Sequence, residues 1–143
     1  MHSRETALIF GVGPGLGVAL ANRFASAKMQ VCAVARDEAR LKSPIKLRRS
    51  HDVRPYVADF SNCEDVLRVF DCADRDMGQP DVVVSNAGVF QRSNIKNIDP
   101  ADFERCRRIG CLGGLLVGQA AARRGQARPW NHHLYWRHCF TAR

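Results

Sequence analysis

The stretch FGVGPGLG, residues 10–17, packs four glycines into seven positions directly after the apolar run Ala7-Leu8-Ile9. Glycine gives up more backbone freedom on folding than any other residue, so a cluster this dense marks a chain that bends sharply or comes close to something. Beyond it, Leu16, Leu20, Phe24 and Ala27 recur at helical spacing and predict an amphipathic helix. A glycine turn between strand and helix has two uses. It can simply let the helix pack tightly on the strand. It can also bring bare backbone and the positive end of a helix dipole up to a phosphate.

The chain keeps alternating two textures as far as residue 122. Val31–Ala35 is a continuous apolar run, as expected of a strand buried on both faces of a parallel sheet. Asp37–Leu41 reads as a short helix stopped before Pro44, and 42–49 as a polar connection. Val53–Ala58 is a third strand, with Pro55 favouring an edge. Ser61-Asn62-Cys63-Glu64 has the spacing of a capping box with Ser61 as the cap, opening a helix that carries Val66, Val69, Phe70 and Ala73 on one face. Asp81–Ser85 is a fourth strand. Asp99-Pro100 then starts a long helix through Phe103, Ile109, Leu112 and Leu116 toward Ala120. Strands alternating with helices predict an α/β fold: a Rossmann-like three-layer parallel sheet with right-handed crossovers, truncated after about four strands and followed by an irregular C-terminal tail.

Three marks fall in order along this pattern. The loop spacing is Gly11-x-x-x-Gly15-x-Gly17, with Gly13 extra; Asp59 follows the third strand in ADFSN; Ser85-Asn86-Ala87-Gly88 closes the fourth. On these residues the sequence resembles the short-chain dehydrogenase/reductase family over 6–122. The resemblance implies a dinucleotide cofactor, with Gly11, Gly13, Gly15, Leu16 and Gly17 at its pyrophosphate, Asp59 and Phe60 near its adenine, and Asn86, Ala87 and Gly88 beside it at the end of the fourth strand. Arg36, just past the second strand, is placed to meet a 2′-phosphate, which favours NADP(H). Asp37 next to it keeps NAD(H) open, and a solvated surface arginine is the plain alternative. The resemblance further implies hydride transfer to or from a carbonyl or alcohol, and homo- or hetero-oligomer contacts through the long helix 99–122.

The sequence departs from that family where the chemistry should be. Proton transfer there uses a tyrosine whose pKa is lowered by a lysine four residues on. Here Tyr56 is followed at that distance by Phe60 and Tyr135 by Cys139, and Gly110 stands at the family's helix asparagine. No catalytic residue is therefore nominated, and the expectation is a cofactor-binding chain that does not turn over, or a regulatory partner of a full-length relative.

Composition sharpens the domain boundary. No acidic residue follows Glu104, and both tryptophans and three of the five histidines fall after Arg124. The +8 net charge therefore belongs to one end rather than to a nucleic-acid-binding face. The expected division is a partial NAD(P)-binding domain over 1–124 and an aberrant basic tail over 125–143. A one-nucleotide shift turns the TGG codons of Trp130 and Trp136 into glycine codons, and one permitted codon choice reads as the family's next strand and loop, so the tail is expected to be out of frame. The six cysteines lack a C-x-x-C pair and are read as free thiols or small apolar residues, with no metal site at Cys139 and its neighbouring histidines. No apolar run approaches a membrane span, and the first residues run straight into a strand, so a cytoplasmic location is expected.

Overall fold

The computed structural model of the chain describes residues 4–42 and 52–125. Along them run β1 (Thr6–Phe10), α1 (Leu16–Ser26), β2 (Gln30–Ala35), α2 (Glu38–Lys42), β3 (Val53–Val57), α3 (Cys63–Met77), β4 (Val82–Ser85), α4 (Pro100–Arg107), a π turn (Arg108–Leu112) and α5 (Gly113–Gly125). The strands form one parallel sheet in the order β3-β2-β1-β4. This is the Rossmann-like α/β architecture that the alternating sequence predicts. The connection at 43–51, the tail from 126 onward and the histidine–cysteine group within it lie outside the described residues.

Strand β1 is the centre of the molecule. Ala7 lies opposite Val31 on one side and Val82 on the other, and Phe10 opposite Val34 and Ser85. The pleat sends alternate side chains to opposite faces. Leu8 and Phe10 join Val66, Val69, Phe70, Val117 and Ala120 in a core beneath α3 and α5. Ile9 joins Val31, Ala33 and Ala21 in a second core beneath α1. Both faces are covered, so the strands read as unbroken apolar runs. The start of β1 is tied to the entry of β4: Thr6 N–H donates to Asp81 Oδ2 at 2.8 Å, Asp81 N–H donates to Thr6 O at 2.8 Å, and the buried Thr6 Oγ1 donates to Met77 O at 3.0 Å. Pro55 sits on β3, an edge strand, where its missing N–H leaves no ladder bond unmade.

Three sequence expectations are corrected. The cap of α3 is Asn62, not Ser61: Asn62 Oδ1 accepts from Glu64 N at 2.9 Å and Asp65 N at 3.3 Å. Ser61 instead turns its hydroxyl back toward its own loop, where Oγ donates to Asp59 Oδ1 at 2.8 Å. On α1 the buried positions are Gly17 and Ala21, while Leu16 is 42% exposed and Ala27 lies in solvent. Small residues win that face because they let the helix lie close to the sheet. The long helix is not α-helical throughout. Its inward side is Cys106, Ile109, Val117 and Ala120, and Phe103 is 46% exposed.

The far end of α5 is clamped to α3. Arg124 pairs with Asp71 and, through Nε at 3.1 Å, with Asp74; its guanidinium lies over the Phe70 ring, 5.0 Å from the centroid. Its carbonyl accepts from Gln79 Nε2 at 2.8 Å, next to the foot of β4.

Candidate functional site

The four loop glycines divide by what surrounds them. Gly11, with φ +90°, donates its N–H to Val34 O at 2.9 Å, and a Cβ there would stand 2.6 Å from Ala87 N. At Gly17 a Cβ would run into Gly11 O, with Val12 Cα 2.8 Å away. These two glycines close the joint between β1, α1 and the end of β4. Gly13 and Gly15 have nothing within 4 Å of a Cβ position; Gly15 holds φ +118° and begins α1. No side chain caps α1 and no acid lies in its first turn. The Val18 N–H of that turn donates to Gly13 O at 3.2 Å, and the positive end of the helix dipole is left without a neutralising acid, which suits an anion.

A cleft of about 250 Å³ opens over this loop. Nine of the eleven residues nominated from the sequence line it: Gly11, Gly13, Leu16, Gly17, Arg36, Phe60, Asn86, Ala87 and Gly88. Gly15 and Asp59 stand outside the lining. Asp59 turns its carboxylate into its own loop, where Oδ1 accepts from Ser61 N at 2.9 Å and from Ser61 Oγ. Val12, Pro14, Ala35 and Ile109 complete the wall without having been singled out in the sequence. The first three are neighbours of nominated residues. Ile109 comes from the long helix and carries no motif.

Asn86 is held on two sides. Its N–H donates to Phe10 O at 2.9 Å, prolonging the β1–β4 ladder, and its Nδ2 donates to Gly11 O at 3.0 Å. Its Oδ1 is buried without a hydrogen-bond partner among the described residues. A buried acceptor left unpaired is costly unless something supplies a donor. At the other end of the cleft, Arg36 follows β2 and is exposed, with no ion pair among the described residues. Its neighbour Asp37 is occupied: Oδ1 accepts from Ala39 N at 2.8 Å at the start of α2. The floor is aromatic, with Phe60 meeting Phe10 edge-on at 6.4 Å between centroids.

The titratable groups furthest from their ordinary values lie elsewhere. Burial pushes the Cys32 thiol up to about 12. Tyr56 is raised, first by burial and then by its hydrogen bond to Asp76 Oδ2, at 2.9 Å. Asp76 is held low by that same hydroxyl and by Arg75 and Arg54. This group stands at the outer side of β2 and β3, and none of it lines the cleft. Among the described residues no cluster of three or more histidine, cysteine or acidic side chains could hold a metal ion.

A model of the short chain dehydrogenase family matches residues 5–128. Elsinochrome reductase 1 of Elsinoe fawcettii is 29% identical over 82% of this chain and 45% of its own length. Versicolorin reductase of Emericella nidulans is 30% identical over 83% of this chain and 46% of its own. The chain thus spans about half the length of these curated relatives. Among solved structures, a gluconate 5-dehydrogenase from Burkholderia cenocepacia, in complex with NADP and tartrate, superposes with a TM-score of 0.76 at 28% identity, covering 87% of this chain and 49% of that one.

Proposed function

Because the chain belongs to the short-chain dehydrogenase family, we propose that its cleft binds NADP(H) in preference to NAD(H) and that the chain, as sequenced, does not turn the cofactor over. The residues present suit such a ligand. The amides leading α1 donate to a pyrophosphate and Gly13 leaves room for it; Asn86 Oδ1, without a partner among the described residues, accepts from a hydroxyl of the dinucleotide; Phe60 offers an apolar surface. When bound, the nicotinamide supplies or takes up a hydride. The observation that carries the preference is at the end of β2: Arg36 stands exposed at the cleft with no ion pair among the described residues, while the Asp37 carboxylate, which would repel a 2′-phosphate, accepts from the Ala39 amide.

Lack of turnover rests on the sequence, which places no lysine four residues after either tyrosine. Residues 125–143 are read as an out-of-frame tail, and the nucleotide sequence of the gene tests that directly. Titration followed by nicotinamide fluorescence tests the binding. NADPH should give a saturable signal and NADH a weaker one, and Arg36→Glu should weaken NADPH about tenfold or more while barely changing NADH. A flat NADPH titration contradicts the cofactor reading. Loss of nicotinamide absorbance with a carbonyl substrate contradicts the absence of turnover.

A second reading comes from Leu115, 54% exposed on the long helix. The chain then serves as a partner that pairs through 99–122 with a second copy or a full-length relative. Sedimentation of the chain alone and mixed with such a relative tests it, and a persistent monomer in both removes it.

A further inference from the structure

The sheet ends differently on its two sides. At β3 the edge carries Arg54, paired with Asp76 at 3.2 Å, and Pro55, which offers no N–H to an incoming strand. At β4 the edge is Val82-Val83-Val84-Ser85, with no charge, no proline and no neighbouring strand among the described residues. The ladder to β1 decides which main-chain groups of β4 look outward. Asn86 N–H donates to Phe10 O at 2.9 Å, and the period of two turns the amides of Val84 and Val82 the same way, toward β1. Asp81, ahead of the strand, keeps its own N–H on Thr6 O. Val83 therefore presents its N–H and C=O to the open side. The side chains divide by the same period. Val83 packs on the core beneath α3 and α5, and Val82 and Val84 on the core beneath α1. Even so, Val82 and Val83 are only half-buried.

We propose that the β4 edge is the docking surface for a second copy of this chain, the two edges pairing antiparallel about Val83 to join their sheets into one continuous sheet. The register follows from the pattern of the strand itself. A twofold axis normal to the sheet keeps each face beside its like face. Only registers that match odd positions with odd and even with even then bring the cores together. Centring on Val83 meets that condition and makes Val83 a hydrogen-bonded pair with its copy, each N–H donating to the other's C=O. Val82 then faces the copy's Val84, apolar against apolar. Asp81 faces the copy's Ser85, so a carboxylate meets a hydroxyl and no charge meets its like. The segment is complementary to itself in this one arrangement. Each copy offers one such edge, because β3 is blunted, so assembly closes at two.

Sedimentation equilibrium of the full chain, with hydrogen exchange of the β4 amides followed at each concentration, tests the proposal. A monomer–dimer equilibrium is expected, with exchange at Val83 slowing in step with the dimer fraction. Ser85→Asp sets carboxylate against carboxylate at both ends of the joint and should weaken the dimer about fivefold or more. Ser85→Lys, opposite the copy's Asp81, should hold the dimer or tighten it. Leu115→Arg, on the long helix, should leave it intact. If both Ser85 variants misfold, exchange at Val83 in the parent chain still decides. A chain that stays monomeric, a Val83 amide whose exchange ignores concentration, or equal effects of the two folded Ser85 variants overturns the inference. A dimer dissolved by Leu115→Arg also overturns it, in favour of pairing through the long helix. A dimer that forms only after residues 126–143 are removed does so too, and gives the edge to the chain's own tail. None of these measurements involves a nucleotide, so the cofactor proposal stands or falls separately.

Discussion

Gly13 in the loop and Gly17 in the first turn of α1 stand four residues apart and answer to different pressures. A methyl on Gly17 would drive into Gly11 O, which is backbone and cannot swing away. Gly17→Ala should therefore cost about 1–3 kcal/mol in urea denaturation, as overpacked sites do. Gly13→Ala meets nothing within 4 Å and should leave the urea midpoint nearly unchanged. The glycine spacing was legible in the sequence, but this division of labour was not, because it depends on Ala87 and Asn86 arriving from a strand some 70 positions later. For Asp59 the place in the motif was readable, whereas the bonds of its carboxylate to Ser61 were not. Tyr56 supplies a pH dependence. Its folded pKa is raised above the ordinary 10.0, so the fold favours the neutral phenol. That contribution is complete below pH 10 and is lost as pH rises past it toward the folded value. Tyr56→Phe should flatten the alkaline limb of stability against pH; an unchanged slope above pH 10 speaks against it.

Helix beginnings were easier to locate from the sequence than helix interiors. Asp99 caps α4 by accepting from Ala101 N at 2.8 Å, with Pro100 at the first helical position, as the dipeptide suggested. The α3 start was found but its cap was misplaced by one residue, since Ser61 and Asn62 are both good caps and only Asp59, nearby in space, decides between them. Asn62→Ala should lower stability by about 1 kcal/mol, and Ser61→Ala by less, in thermal melts of the two variants. The π turn was not legible. Apolar positions at 109, 112, 116 and 120 fit an ordinary helix, and the preference for a wide turn comes from Gly113 settling on Phe60 O and Ile109 settling in the cleft. The only local hint is the density of glycines between 110 and 114.

At the level of the whole molecule the sheet is asymmetric. On one side β3 carries Pro55, which blunts that edge. On the other, β4 is a run of three valines whose outer ladder has no neighbour among the described residues. An apolar edge left open, as this one is among the described residues, templates strand addition. Light scattering should therefore rise steeply with concentration, and a sample that stays monodisperse and monomeric throughout contradicts the edge's being available. The architecture itself was largely readable, because buried parallel strands announce themselves as apolar runs. Which strand lies at the centre follows from the crossovers rather than from any one segment. The enclosure of β1 also sets a timetable. Thr6 finds its partner in Asp81, 75 positions along the chain, and synthesis runs at about 5–20 residues per second, so the earliest strand waits roughly 4–15 s for its last neighbour. Throughout that interval one edge of β1 lacks its ladder partner even after β2 has paired with the other, so the unfinished sheet is the species that a chaperone of emerging apolar strands would shelter.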